Sequence, residues 1–401
     1  MGNIIVAQSG GPTVAINASL AGVIQGALAG SFDKIYGSIN GIMGVIEDNI
    51  IDLEQKAEKP GFLDALKTTP AMYLGSCRYK LPKDLNDPIY NTLFSQFEKY
   101  NIEAFFYIGG NDSMDTVDKL SAKAKEINSP IRFVGVPKTI DNDLCVTDHT
   151  PGFGSAAKYI AATTMEVIYD AQIYKAPSLT IIEIMGRDAG WLTAAASLAA
   201  TDYCPGPDLI YLPEVAFDKE VFVTDLKALL EKKANIVVAV SEGIRDAEGN
   251  YISASTASLD NFGHAQLSGT GKALEYFVKD RLGIKVRSIE VNVLQRAAAH
   301  MCSATDIDEA FILGQKAVEL AAEGKTGIMV TLSRTSDAPY TIAYDYFEIS
   351  QIANAVKSVP REWINEAGNG VTQDMITYLK PLIIGEPALS FKDGLPVYLC
   401  R

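Results

Sequence analysis

The stretch Arg132-Phe133-Val134-Gly135-Val136-Pro137-Lys138-Thr139-Ile140-Asp141-Asn142-Asp143 decides how this chain folds. Its first half is a short apolar run and reads as a buried strand. Its second half puts one ammonium and two carboxylates on the connection that follows. That composition suits a loop that handles phosphate and metal while taking a proton from a hydroxyl. Taken alone, the same residues also suit a solvated strand-to-helix connection with capping Asp residues.

Working outward, apolar β-branched runs recur at 3–7, 105–108, 132–136, 179–184, 236–240, 286–293 and 327–332, separated by amphipathic stretches. The alternation predicts βαβ units and mostly parallel sheets covered on both faces. Ligands of such sheets collect at the carboxyl ends of the strands. The Gly- and Asp-rich segments stand there: Ser9-Gly10-Gly11-Pro12 after the first run, and Gly109-Gly110-Asn111-Asp112-Ser113 after the second.

With 401 residues the chain suits two α/β domains, or one large one. A domain break is expected at Pro151-Gly152-Phe153-Gly154-Ser155, before a helical pattern over 156–174, with a return to the first domain near Ala297. The net charge of -14 argues against a nucleic-acid partner, which needs a basic footprint. A phosphate ligand would have to be held locally, by cations such as Arg78, Lys80, Lys138, Arg187 and Arg296. The five cysteines form no CxxC pair, which fits a reducing cytoplasm. The N-terminus has no basic leader before its first glycine turn, so neither a signal peptide nor a membrane span is expected.

Gly10 and Gly11 precede a helical run and could offer backbone N–H groups to an anion, although a packing turn explains them equally well. Gly109 and Gly110 let a ligand approach the backbone, with Asp112 and Ser113 either at the ligand or capping a helix from Met114 onward. Gly75-Ser76-Cys77-Arg78-Tyr79-Lys80 sets two cations beside a turn, suited to charge on a phosphoryl group, although loop cations of this kind are usually only solvated. Met185-Gly186-Arg187-Asp188-Ala189-Gly190 follows the run 179–184 and opens a helical stretch over 191–200, while Ser241-Glu242-Gly243 follows 236–240. Glu242 could accept hydrogen bonds from sugar hydroxyls, although a helix-capping or surface role suits it equally well. Arg287 and Arg296 flank the run 288–295, where an arginine at each end could hold a sugar phosphate. The three histidines, His149, His264 and His300, show no triad or metal spacing and read as structural.

Together these segments resemble the phosphofructokinase family: SGGPTVAIN at 9–17, LGSCRYK at 74–80, GGNDS at 109–113, PKTIDND at 137–143, MGR at 185–187, SEG at 241–243 and LQR at 294–296, in the family's order. The resemblance implies an α/β fold of two three-layer domains with mostly parallel sheets and the active site in the interdomain cleft. It implies a phosphoryl-donor domain of residues 1–152 plus about 297–360, and a fructose 6-phosphate domain of 153–296 plus about 361–401. Members that use ATP carry GGDGS and PGTIDND; members that use pyrophosphate carry GGDDS and PKTIDND. Asp112 and Lys138 therefore point to pyrophosphate. A carboxylate at 112 repels the place where the α-phosphate of ATP must lie, and an ammonium at 138 neutralises pyrophosphate.

By that resemblance Asp141 is the base, with Lys138, Asp112 and Arg187 beside it as the catalytic set. The donor site comprises Gly10, Gly11, Arg78, Lys80, Gly110, Asn111 and Ser113. Fructose 6-phosphate is held by Thr139, Asp141, Met185, Gly186, Arg187, Glu242 and Arg296. Mg2+ is the expected cofactor, near Asn111, Asp112 and Asp143. The implied protein is a cytoplasmic homodimer or homotetramer acting on fructose 6-phosphate and pyrophosphate. An ATP-dependent 6-phosphofructokinase and a catalytically inactive sugar-phosphate-binding regulatory subunit stand as alternatives, with an NAD kinase as a third that the MGR and LQR segments disfavour. Three positions depart from the family pattern. Asn111 replaces the magnesium-linked Asp of most relatives; Val293 and Ser178 replace a phosphate-binding His and an intersubunit arginine of bacterial ATP enzymes.

Overall fold

A computed structural model describes residues 2–30, 32–253, 269–352 and 356–400. His264 lies outside the described residues. Strands are numbered in chain order: β1 Asn3–Gln8, β2 Ile35–Ser38, β3 Ile50–Asp52, β4 Ile102–Gly109, β5 Arg132–Pro137, β6 Ser178–Ile184, β7 Ala200–Thr201, β8 Cys204–Pro205, β9 Leu209–Tyr211, β10 Asn235–Ser241, β11 Lys285–Glu290, β12 Ile328–Asp337, β13 Tyr340–Glu348, β14 Phe391–Lys392 and β15 Leu395–Pro396.

Two sheets organise the molecule. The larger runs β13-β12-β5-β4-β1-β2-β3, parallel except at its two edges, where β13 and β3 run antiparallel to their neighbours. The smaller, β11-β6-β10-β9, is parallel throughout. The central strands are buried on both faces, which is why β1, β4, β6 and β10 read as near-continuous apolar runs rather than alternating ones. β7 with β8, and β14 with β15, form short antiparallel ribbons outside the sheets.

Apolar helix faces cover the sheets. The helix Ile16–Ala29 packs lengthwise on Ala304–Ala322 because Gly22 meets the backbone of Phe311, and Gly314 meets that of Ser19; a Cβ at either position would collide with main chain. The helix Phe153–Gln172 starts inside the segment expected as a break, three residues before the helical pattern read from the sequence, and buries Phe153, Ile160 and Ile168 in a core shared with Ile182, Trp191 and Leu379.

Several element boundaries differ from the sequence reading. The run 286–293 ends as a strand at Glu290, since Asn292 takes a positive φ of 46° and Val293 and Leu294 face solvent. The run 327–332 extends to Asp337 and turns back as β13, whose side chains alternate between half-buried and exposed. The helical stretch 191–200 is one α-turn, Trp191–Ala194, followed by a 3-10 segment, Ala195–Ala199, and Ala200 already belongs to β7. No described helix is long and apolar enough to cross a membrane.

Candidate active site

The carboxyl ends of β1, β4, β5 and β6 converge on one cleft of about 400 Å³. Gly10 and Gly11 come from the loop after β1; Gly110, Asn111, Asp112 and Ser113 follow β4; Lys138, Thr139, Asp141 and Asp143 follow β5. Arg187 arrives from the smaller sheet, after β6, and Arg78 and Lys80 from the long connection between β3 and β4. Asp188, Ala189 and Val356 complete the lining; they were not singled out from the sequence. Asp188 and Ala189 lie inside a quoted motif, whereas no local signal marks Val356.

The loop after β4 is shaped by the helix Asn111–Glu126, which begins two residues after the strand with Gly110 as its cap residue. The helix thus starts before Met114, and Asp112 and Ser113 sit in its first turn rather than capping it. That end of the helix favours anions. Asp112 pairs with Lys80 at 3.1 Å.

In the loop after β5, Lys138 is 1% exposed and donates to the carbonyl of Gly11 at 2.6 Å. Burial pushes its ammonium down to about 7, against the pull of Asp141 and Asp143. Thr139 holds Asp141 twice: its hydroxyl donates to Oδ2 at 3.3 Å and accepts the Asp141 N–H at 3.1 Å. Burial raises the Asp141 carboxyl, while Thr139, Arg187, Lys138 and Arg296 pull it back toward the charged form. Asp143 is raised to about 7 by burial and by Asp141. Between them Asn142, with φ 55°, is fully buried; it donates to the Tyr378 hydroxyl at 2.8 Å and accepts the Thr150 N–H at 3.1 Å. That residue is the loop's anchor, so the two carboxylates flanking it project the same way with little freedom.

Asn111 Nδ2 donates to Asp143 Oδ2 at 3.0 Å, leaving Asn111 Oδ1 buried without a hydrogen-bond partner. The Ser113 hydroxyl is likewise buried and unpartnered. An orphaned carbonyl-type oxygen beside a carboxylate is the hard-oxygen chemistry that a magnesium ion takes, so the residues fit that ion. No cluster of three or more His, Cys, Asp or Glu side chains with metal-binding geometry occurs among the described residues.

Met185 and Glu242 line a second, smaller cavity of about 60 Å³ with Glu183, Glu290, Asn292 and Gln295. Glu242 accepts the Gly186 N–H at 3.4 Å and is raised to about 7 by burial. Gly243 packs directly on the Arg187 main chain, an approach that any side chain at 243 would block, and this fixes the arginine's loop. Arg296 lies beside Gly11, with its Nε buried and unpartnered; burial lowers its guanidinium while Asp141 counteracts. Arg287, which could have acted with Arg296, lies on edge strand β11 and pairs with Asp170 of the helix Phe153–Gln172 at 3.1 Å.

Two α/β sheets facing a cleft of main-chain donors, arginines, a buried ammonium and paired carboxylates define a class of protein that binds polyanionic ligands between its halves. The Phosphofructokinase family model matches residues 3–321, and this chain belongs to that family. It is 40% identical to the pyrophosphate--fructose 6-phosphate 1-phosphotransferase of Halomonas elongata, over 98% of this chain and 94% of the relative. It is 41% identical to the protein of the same name from Xanthomonas campestris, over 99% and 96%. The crystal structure of a pyrophosphate-dependent phosphofructokinase from Nitrosospira multiformis superposes with a TM-score of 0.89 at 40% identity, covering 99% of this chain and 95% of that one.

Proposed function

We propose that this protein is a pyrophosphate-dependent 6-phosphofructokinase, reversibly transferring a phosphoryl group from magnesium pyrophosphate to the 1-hydroxyl of fructose 6-phosphate. The observation that carries the choice of donor is the pair of charges at 112 and 138: a carboxylate in the cleft wall where a nucleotide would need room, and a buried ammonium that donates to a backbone carbonyl.

In the forward direction, the sugar's 1-oxygen forms a bond to phosphorus as the bridging P–O bond of pyrophosphate breaks. The hydroxyl proton passes to Asp141 and inorganic phosphate leaves with the bonding pair. Thr139 keeps Asp141 aimed. Lys138, Arg78 and Arg187 counter the charge on the moving phosphoryl group, and the glycine loop at 10–11 and the helix start at 110–113 take the part of the donor that stays behind. Met185, Gly186, Glu242 and Arg296 hold the sugar phosphate. Asn111 and Asp143 would hold Mg2+, which supplies charge neutralisation to the bound pyrophosphate, with Asp112 kept back by Lys80.

We assign residues 1–152 with about 297–360 to the donor side and 153–296 with about 361–401 to the sugar side, a division supported by the two separate sheets. A cytoplasmic homodimer or homotetramer completes the reading; the five free cysteines support the reducing compartment. The test is a side-by-side assay of purified protein with pyrophosphate or ATP at equal magnesium. Turnover with pyrophosphate alone is expected. Preference for ATP would replace the donor assignment, and no transfer with either would leave a sugar-phosphate-binding subunit.

A further inference from the structure

The segment Lys357-Ser358-Val359 lies far in sequence from every motif of the site, yet it is bonded to both halves of the cleft. On one side, the Lys357 N–H donates to the carbonyl of Asp143 at 2.8 Å. Its ammonium donates to the carbonyls of Thr147 at 3.1 Å and Asp148 at 2.7 Å. On the other side, the Lys357 carbonyl accepts the Trp191 indole N–H at 2.8 Å, and the ammonium lies 5.1 Å from that ring. Two residues on, the Val359 N–H donates to Glu214 Oε1 at 2.9 Å, and the same oxygen accepts the Gly190 N–H at 2.8 Å. Gly190 and Trp191 end the loop that carries Arg187. Charges facing the Lys357 ammonium are Asp148, Asp143, Cys145 and Arg334.

We propose that residues 357–359 form a strap that ties the loop of Asp141 and Asp143 to the loop of Arg187, and that Lys357 is a positioning residue for phosphoryl transfer. The inference rests on the function proposed above. Lys357 reaches the reacting atoms only through other groups: three carbonyls of the loop 143–148 fix the height of Asp143, and the indole bond fixes where the Arg187 loop stands relative to it. A lysine suits the place because one ammonium can satisfy two carbonyls at once, and arginine can do so with longer reach. Errors in the distance between base and phosphoryl clamp slow the chemical step more than they weaken the binding of either substrate.

The chain has two tryptophans, Trp191 and Trp363, so a Trp363→Phe background isolates the emission of Trp191. In that background Lys357→Met is expected to shift Trp191 emission and to lower kcat about 100-fold, with KM for pyrophosphate and fructose 6-phosphate changed by no more than about threefold. Lys357→Arg should recover kcat to within about tenfold of the parent. Glu214→Ala, which cuts the strap's other attachment, should give the same division between kcat and KM, and it decides the matter if Lys357→Met does not fold. A folded Lys357→Met protein with parental kcat and parental Trp191 emission overturns the proposal, as does equal loss in the Met and Arg variants. If the parent transfers no phosphoryl group, the proposed function falls by itself, and unchanged Trp191 emission in Lys357→Met then overturns the strap.

Discussion

Asp141 and Lys138 stand three residues apart on one loop, and burial shifts them in opposite directions, raising the carboxyl and lowering the ammonium, because it favours the neutral form of both. Burial raises the carboxyl, and Thr139, Arg187, Lys138 and Arg296 oppose it, favouring the charged form that accepts a proton from substrate. Asp141→Asn removes that capacity while preserving the Thr139 contacts in outline. Its turnover is expected to fall by about 10³-fold or more, with an unchanged melting curve; steady-state assay and calorimetry together check this. Asp112→Gly combined with Lys138→Gly removes the carboxylate in the nucleotide's way and the ammonium that favours pyrophosphate. It should lower kcat/KM for pyrophosphate by about 100-fold and bring ATP turnover above background. Unchanged pyrophosphate efficiency in the double variant would remove these residues from donor choice.

At the scale of elements, the helix Phe153–Gln172 begins with Gly152, whose missing side chain cannot cap it. Asp306, from the helix Ala304–Ala322, supplies the cap instead: Oδ1 accepts the Gly152 N–H at 2.8 Å and Oδ2 the Ser155 N–H at 3.0 Å. Asp306→Ala should cost about 1–3 kcal/mol in urea unfolding, with Asp306→Asn recovering part of the loss. The contrast between Gly152 and Asp306 also explains what the sequence disclosed. Motif residues at strand ends were legible because local spacing puts them there: the glycines after β1 and β4 and the charges after β5 converge without knowledge of tertiary contacts. Asp306, Lys357 and Glu214 were not: Asp306 and Lys357 act on groups more than 100 positions away, Glu214 joins Gly190 to the distant Val359, and nothing beside any of them in sequence marks it. β2, β3 and β9 escaped notice because three or four residues carry too little pattern, and β13 because its half-exposed alternation lacks the apolar run of a central strand. Arg287 misled because flanking a strand in sequence does not put two side chains at one end of it.

Across the whole molecule, His149 joins parts that the loops alone would leave separate. Its ring meets Asp148 at 2.8 Å and Glu309 at 2.6 Å, and Arg334 of β12 reaches the same Asp148 at 3.0 Å. Burial works against the imidazolium, but Glu309 and Asp148 outweigh it and raise the group from 6.5 to about 9. A raised folded value means that the contribution is fully present below pH 6.5 and is lost as pH climbs toward 9. The difference in unfolding free energy between the wild type and His149→Gln should therefore shrink by about 3 kcal/mol over that window, measured by urea titration at several pH values. A constant difference would mean that the ring is neutral and merely packed. The cleft's cations have a kinetic consequence of another kind. Both substrates are polyanions approaching a body with a net charge of -14, so the far field repels them and only the near field attracts. Added salt quiets the distant repulsion first, because at 0.1 M the screening length is about 10 Å. Encounter should therefore quicken from very low to moderate ionic strength before slowing, the reverse of the opening trend in a molecule whose overall charge guides its ligands in.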